Sequence, residues 1–96
     1  MTVKLVGLIK QLDPAAFEDY RSRVGATVTS FRGQVIYRGK LAHAFWNELD
    51  SDNFDAFVEL EFPTLEDATQ WAASADYQEL LAVRSRAMRL TLFAVT

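Results

Sequence analysis

The side chain best suited to acid–base chemistry in this sequence is a single histidine. His43 is the only histidine among 96 residues, and imidazole is the side chain whose ordinary pKa lies near neutrality. It lies in an apolar stretch, where the alternation places it on the same side as Leu41 and Phe45. We therefore consider His43 a candidate general base, or oxyanion partner, at the mouth of a cavity. The alternative is a surface histidine on an edge strand.

Two arginines have the chemistry to hold an anion. A guanidinium group binds a carboxylate or phenolate through paired hydrogen bonds, and Arg38, near the end of a predicted strand, is the first candidate. The alternative for Arg38 is an ion pair with Glu59 or Glu61 on a neighbouring strand. Arg84, on the inward stripe of a C-terminal helix, is the second candidate. The alternative for Arg84 is an ion pair with an acidic residue, in which its stem covers core side chains.

Aromatic side chains are numerous enough to line a cavity for an aromatic ligand. Five aromatic residues could line it: Tyr20, Tyr37, Trp46, Trp71 and Tyr77. Tyr20 and Trp71 fall at the helical spacing that is typical of core positions. We therefore expect Tyr20 and Trp71 in the hydrophobic core rather than at a binding site.

Other catalytic and metal-binding patterns are missing from the sequence. Glu59 and Glu61 share one strand face about 6–7 Å apart, too far for strong coupling, so we expect solvated or salt-bridged carboxylates rather than an acid–base pair. There is no glycine-rich phosphate loop, nucleophile elbow or metal-ligand spacing. The absence of cysteine excludes disulfides, iron–sulfur clusters and thiolate zinc sites. We expect neither a metal nor a cofactor.

The elements that must position these residues follow from the hydrophobic periodicity. Asp13 and Pro14 are typical of a helix start, and Thr64 and Asp76 each begin a capping pattern. We predict strands over 3–9, 31–39, 54–62 and 89–96, a helix from 14, and helices after 64 and from 76 to about 87. The segment 41–46 could extend the second strand. The order is the βαββαβ of ferredoxin-like α+β folds: an antiparallel four-stranded sheet with helices on one face, its first and third strands central.

One face of this predicted sheet lacks a cover. The strand 3–9 is apolar on both sides, and Phe57 together with Phe93 or Leu92 must point away from the helices. Because small domains rarely expose a broad apolar face, we predict a homodimer that stacks two sheets into a dimeric α/β barrel.

Length and charge exclude several classes of protein. The length fits one domain, spanning 1–96. A net charge of -3 argues against nucleic acid as a partner, and no apolar run is long enough to span a membrane. With no signal-peptide pattern at the start, we expect a soluble, cytoplasmic protein. Residues 41–83 hold ten Asp or Glu and no Lys or Arg, but the predicted topology interleaves them with basic strands. We therefore expect Glu59 and Glu61 to neighbour Lys4 or Arg38.

The chain resembles the family catalogued as domain of unknown function 1330, of the dimeric α/β-barrel superfamily. The resemblance covers essentially the whole chain and lies in the segments 13–20, 38–39, 61–71, 76–80 and 84–87. Ala75, Lys40 and Ala72 depart from the family's usual Pro, Gly and Tyr. The resemblance implies a ferredoxin-like dimer, with ligands held in a cleft between helices and sheet, and it brings no agreed reaction. Trp46 lies outside the matching segments, which favours it as a ligand contact.

Three functional classes remain open. The first is a homodimeric protein that binds a small aromatic or carboxylate ligand without catalysis. The alternative is a cofactor-independent monooxygenase or isomerase acting on a phenolic or keto substrate, with His43 as base, Arg38 as anion partner and Trp46 as cavity wall. The third class is a structural interaction module, and only the uncovered sheet face supports it.

Overall fold

Four antiparallel strands form one sheet, and all the helices lie on one side of it. The computed structural model describes residues 2–96. The elements are β1 (Val3–Gln11), α1 (Pro14–Ser30), β2 (Gln34–Lys40), β3 (Ala56–Phe62), α2 (Leu65–Ala73), α3 (Ala75–Gln78), α4 (Leu81–Ala87) and β4 (Met88–Val95). The strand order is β2-β3-β1-β4. This confirms the predicted ferredoxin-like α+β fold, with the first and third strands in the centre.

The N-terminal helix begins where the sequence predicts. The Asp13 carboxylate accepts hydrogen bonds from the backbone amides of Ala15 and Ala16, at 3.0 and 3.3 Å, and Pro14 occupies the first turn, where no amide donor is needed. The helix buries Tyr20 and Val28 against the sheet. Helix α1 therefore covers one side of the hydrophobic core.

The core lies between the helices and one face of the sheet. Along β1 the odd-numbered residues from Val3 to Ile9 are buried, as the two-residue period of a strand requires. Phe62 and Trp71 are among its least exposed side chains, and their ring centroids lie 5.5 Å apart. Trp71 is also held by its indole N–H, which donates to the Thr27 hydroxyl at 3.0 Å.

The predicted extension of the sheet past β2 is wrong. Residues 41–55 form a loop, although the Leu41 amide still donates to the Asp55 carbonyl at 2.9 Å. A strand over 41–46 could pair only with residues near 50–55, which are polar and turn-forming. Asn47 bonds Ser51 through both its side-chain donor and acceptor, and Asp50 has a φ of 58°. The turn therefore leaves the apolar residues of the loop without a strand partner.

Several boundaries also differ from the prediction. The second strand begins at Gln34, because α1 continues to Ser30, and the third begins at Ala56 rather than at residue 54. The second capping residue is Ser74, whose hydroxyl accepts from the Tyr77 amide at 3.2 Å, rather than Asp76. Thr64 caps α2 as predicted, through the Asp67 amide.

The sheet face away from the helices is covered by no helix or strand within residues 2–96. Phe57 lies opposite Leu8, and Phe93 lies opposite Val6, so both side chains belong to this bare face. Leu92 lies opposite Gly7 and faces the helices instead. We call the surface formed by Val6, Leu8, Tyr37, Phe57, Phe93 and Val95 the bare face.

Charge pairing on this face follows the predicted interleaving. The Lys4 ammonium lies 3.2 Å from Glu59 and 3.3 Å from Glu61, which confirms the expected cross-strand neighbour. The hydrogen bonds that the Lys4 ammonium donates to these two carboxylates raise the pKa of Lys4. Arg38 takes no part, because it lies opposite Val58 and so faces the helix side.

No helix within residues 2–96 is both long and apolar enough to cross a membrane.

Candidate functional site

A cavity of about 420 Å³ lies between α1 and the helix-facing side of the sheet. That volume is within the usual range of small-molecule sites. Its walls are mainly apolar, and the lining side chains include Ile9, Phe17, Val24, Val35, Val58, Leu60, Met88, Leu90 and Leu92. The lack of a side chain at Gly7 leaves space for Val58 in the wall, because a Cβ on Gly7 would lie 2.6 Å from Val58 Cγ1.

The polar lining residues form a rim at the solvent side of the cavity. Arg21, Arg38, Lys40 and Asp55 are all exposed and all line it. The Asp55 carboxylate is already engaged, since it accepts from the Gln11 amide at 2.8 Å and lies 3.6 Å from the Lys10 ammonium. The rim therefore carries more positive than negative charge.

A chain of buried hydroxyl groups runs behind the cavity wall. Arg84 donates from Nη1 to the Tyr77 hydroxyl at 2.8 Å, and the Tyr77 and Tyr20 hydroxyls lie 3.0 Å apart. The two tyrosine rings also meet edge to face. Because Tyr20 lines the cavity, the arginine is linked to the cavity through two phenols.

The environment of Tyr20 strongly favours its neutral form. Burial raises the pKa of Tyr20 far above its ordinary value, and the neighbouring Tyr77 raises it further. The positive charges of Arg84 and Arg38 act in the opposite direction but do not reverse the shift. Tyr20 thus stays a protonated donor over the whole neutral range.

The structure brings together only some of the predicted site residues. Arg38 lines the cavity, while Tyr77 and Arg84 lie behind it and reach it through Tyr20. Tyr37 is exposed on the bare face, against Phe57.

The other predicted site residues belong to the loop 41–55. His43 and Trp46 are not among the lining residues of the cavity. The His43 ring packs edge to face on that of Phe45, with the ring centroids 4.8 Å apart, and Trp46 is 82% exposed. Arg38 and His43 therefore do not open into one cavity in this conformation of the loop.

Two aromatics that sequence reasoning assigned to the core also take part in the cavity. Tyr20 and Trp71 are buried, as predicted, yet both also line the cavity wall. The available signal was the hydroxyl of Tyr20 on an otherwise apolar helical stripe, because a buried phenol needs a hydrogen-bond partner.

Across the described residues, 2–96, no three His, Cys, Asp or Glu side chains lie close enough to hold a metal ion.

Comparison with known proteins places residues 4–96 of the chain in one family, described as Domain of unknown function (DUF1330). No curated protein matches the sequence.

Solved structures share the fold at low sequence identity. A protein of unknown function from Rhodopseudomonas palustris, RPA0582, superposes with a TM-score of 0.78 at 16% identity, over 98% of this chain and 80% of that one. SnoaB from Streptomyces nogalater, described as a cofactor-independent oxygenase, gives 0.69 at 14%, over 99% and 91%. A dimeric ferredoxin-like protein of unknown function from Thermobifida fusca gives 0.64 at 12%, over 99% and 90%. At these identities the likeness shows the fold alone.

Proposed function

The chain belongs to the family described as Domain of unknown function (DUF1330), and from that premise we propose that it is a homodimeric small-molecule binding protein. The observation that carries the proposal is the apolar cavity between α1 and the sheet. A volume of this size, with few polar groups, is typical of a ligand site. We also propose the cytoplasm as its location, because a chain without cysteine needs no oxidising compartment to form disulfides.

The homodimer is supported by the bare face. Phe93 and Val95 are 45% and 44% exposed in one protomer, beside the half-buried Val6, Leu8 and Phe57. Stacking two such faces would remove these side chains from water. Similar structures such as the one from Thermobifida fusca are described as dimeric.

Filling the cavity tests the binding function. Val24 lines the cavity on α1, whereas Ala26 is exposed on the same helix. Ligand-observed NMR with naphthol and octanamide as probes should show binding to the wild type and to Ala26→Phe. Val24→Phe should bind at least tenfold more weakly. Binding of neither probe to the wild type, or full retention by Val24→Phe, would contradict the proposal.

A cofactor-independent oxygenase or isomerase is the second candidate. One observation favours it: the folded chain superposes on SnoaB, which is described as such an oxygenase. In that function His43 would act as base on a phenolic or keto substrate, with Arg38 and Trp46 beside it, so the loop 41–55 would have to close over the cavity. If His43→Ala leaves the turnover of any identified substrate unchanged, this role of His43 is excluded.

A further inference from the structure

We propose that the ligand of the cavity is a small amphipathic monocarboxylate, held with its anionic group between the Arg38 guanidinium and the Tyr20 hydroxyl. The inference rests on the proposed binding function and adds the chemical class of the ligand. It depends on three features of the described residues: the composition of the walls, the charge of the rim, and the direction of the hydrogen-bonded chain behind Tyr20.

The walls define the tail of the ligand. Helix α1 contributes Phe17 and Val24, and the sheet contributes aliphatic side chains from all four strands. The cavity volume of about 420 Å³ lies at the small end of the usual range for small-molecule sites. A short aliphatic chain or one to two aromatic rings would fill that space.

The rim defines the charge of the ligand. Arg21 has a partner, Glu18, at 3.8 Å, and the Asp55 carboxylate is engaged by Lys10 and the Gln11 amide. Within residues 2–96, neither Arg38 nor Lys40 lies within 4.0 Å of a carboxylate oxygen. An anionic ligand would supply the counter-charge that these two cations lack.

The chain behind the wall favours an acceptor at the same place. Arg84 occupies an acceptor site of the Tyr77 hydroxyl, so the proton of Tyr77 is free to be donated to Tyr20. When Tyr77 donates in this pair, the Tyr20 hydroxyl keeps its own proton for a ligand acceptor. Hydrogen bonds in such a series polarise one another. The charge of Arg84 therefore strengthens the Tyr20 hydroxyl as a donor, although Arg84 does not line the cavity.

The pairing of one charged and one neutral donor suits a carboxylate. Its two oxygens can accept from Arg38 and from Tyr20 together. An amide of the same shape keeps one acceptor oxygen but loses the negative charge and the second acceptor, so it cannot form an ion pair with Arg38. The structure therefore predicts discrimination between octanoate and octanamide.

The experiment measures the dissociation constants of octanoate and octanamide by titration calorimetry. Wild-type protein should bind octanoate about tenfold more tightly than octanamide. Arg38→Gln should bring the two constants within about twofold, leaving that for octanamide unchanged. Arg86→Gln, which removes an exposed cation outside the cavity, is the matched control and should keep the wild-type preference. Tyr20→Phe should lose about threefold for octanoate only.

Each outcome distinguishes the ligand class from the binding function. Equal affinity for octanoate and octanamide in the wild type overturns the carboxylate and leaves the binding function standing. A preference that survives Arg38→Gln as fully as it survives Arg86→Gln also overturns it. If neither probe binds the wild type, the binding function falls, and the carboxylate with it.

Discussion

Tyr20 joins the hydrophobic core to the cavity at the scale of a single residue. Its ring is buried, and its hydroxyl has a buried partner in Tyr77, so it satisfies the rule that a buried polar atom needs a hydrogen bond. The same burial disfavours the phenolate, which raises the pKa of Tyr20. A group that keeps its proton in the folded state but loses it in the unfolded chain links stability to pH.

We predict that Tyr20 makes the protein less stable in alkali. The unfolded chain loses the Tyr20 proton near its ordinary pKa of 10.0, whereas the folded protein retains it. The stabilisation is therefore complete below about pH 10 and declines above it, by up to about 1.4 kcal/mol per pH unit. Urea unfolding between about pH 9 and pH 11 should show a shallower decline for Tyr20→Phe than for the wild type.

A variant that loses no ionisable group provides the control for this titration. Phe17→Leu changes an apolar residue on the same helix as Tyr20, so it should keep the wild-type slope. Equal slopes for Tyr20→Phe and the wild type would contradict the link between burial of Tyr20 and alkaline instability.

At the scale of elements, the turn between α1 and β2 is restricted by the core beneath it. A Cβ on Gly33 would lie 2.5 Å from Cε2 of the Phe62 ring. Phe62 is fully buried and packs against Trp71, so its ring has little room to move. The turn therefore needs a residue without a side chain at this position.

Two glycine substitutions test this restriction. We expect Gly33→Ala to lower the free energy of unfolding by about 1–3 kcal/mol, because the new methyl group must displace a packed ring. Gly25 lies within α1 with nothing within 4 Å of its would-be Cβ, so Gly25→Ala should raise stability by about 0.5–1 kcal/mol. Chemical denaturation followed by circular dichroism measures both. If Gly33→Ala leaves the free energy of unfolding unchanged, the Phe62 ring can move to make room for the methyl group, and the restriction is contradicted.

At the scale of the whole molecule, one side of the sheet lacks the cover that the other side has. The helices remove the odd-numbered residues of β1 from water, but Val6 and Leu8 lie on the bare face, beside Phe57 and Phe93. An apolar surface of this kind favours association. The Lys4 cluster with its two carboxylates adds polar groups at one end of the same face.

A charge placed on the bare face tests the dimer. Light scattering at micromolar concentration should give the mass of two chains for the wild type and of one chain for Phe93→Asp, because a desolvated carboxylate opposes stacking. Leu65→Asp changes an exposed apolar residue on α2 and should remain dimeric. A monomeric wild type, or a dimeric Phe93→Asp, would contradict the proposal.

The order and faces of the strands were predictable because they depend on local patterns. The apolar run in β1 predicts a central strand, and Asp13-Pro14 predicts the helix start, since each depends only on neighbours in sequence. The predicted strand over 41–46 was wrong for the opposite reason. Its alternation is real, but a strand also needs a partner, and the turn after Asn47 removes it.

The sequence by itself determined the ferredoxin-like topology, the family and the presence of an uncovered apolar face. Only the tertiary structure decided which candidate side chains meet. Arg38 and Tyr20 come from different elements and line one cavity, whereas His43, only five residues after Arg38, does not line it. Chain spacing sets which face a side chain takes within one element. The distance between elements depends on how β2 and α1 pack on the core, which no local pattern contains.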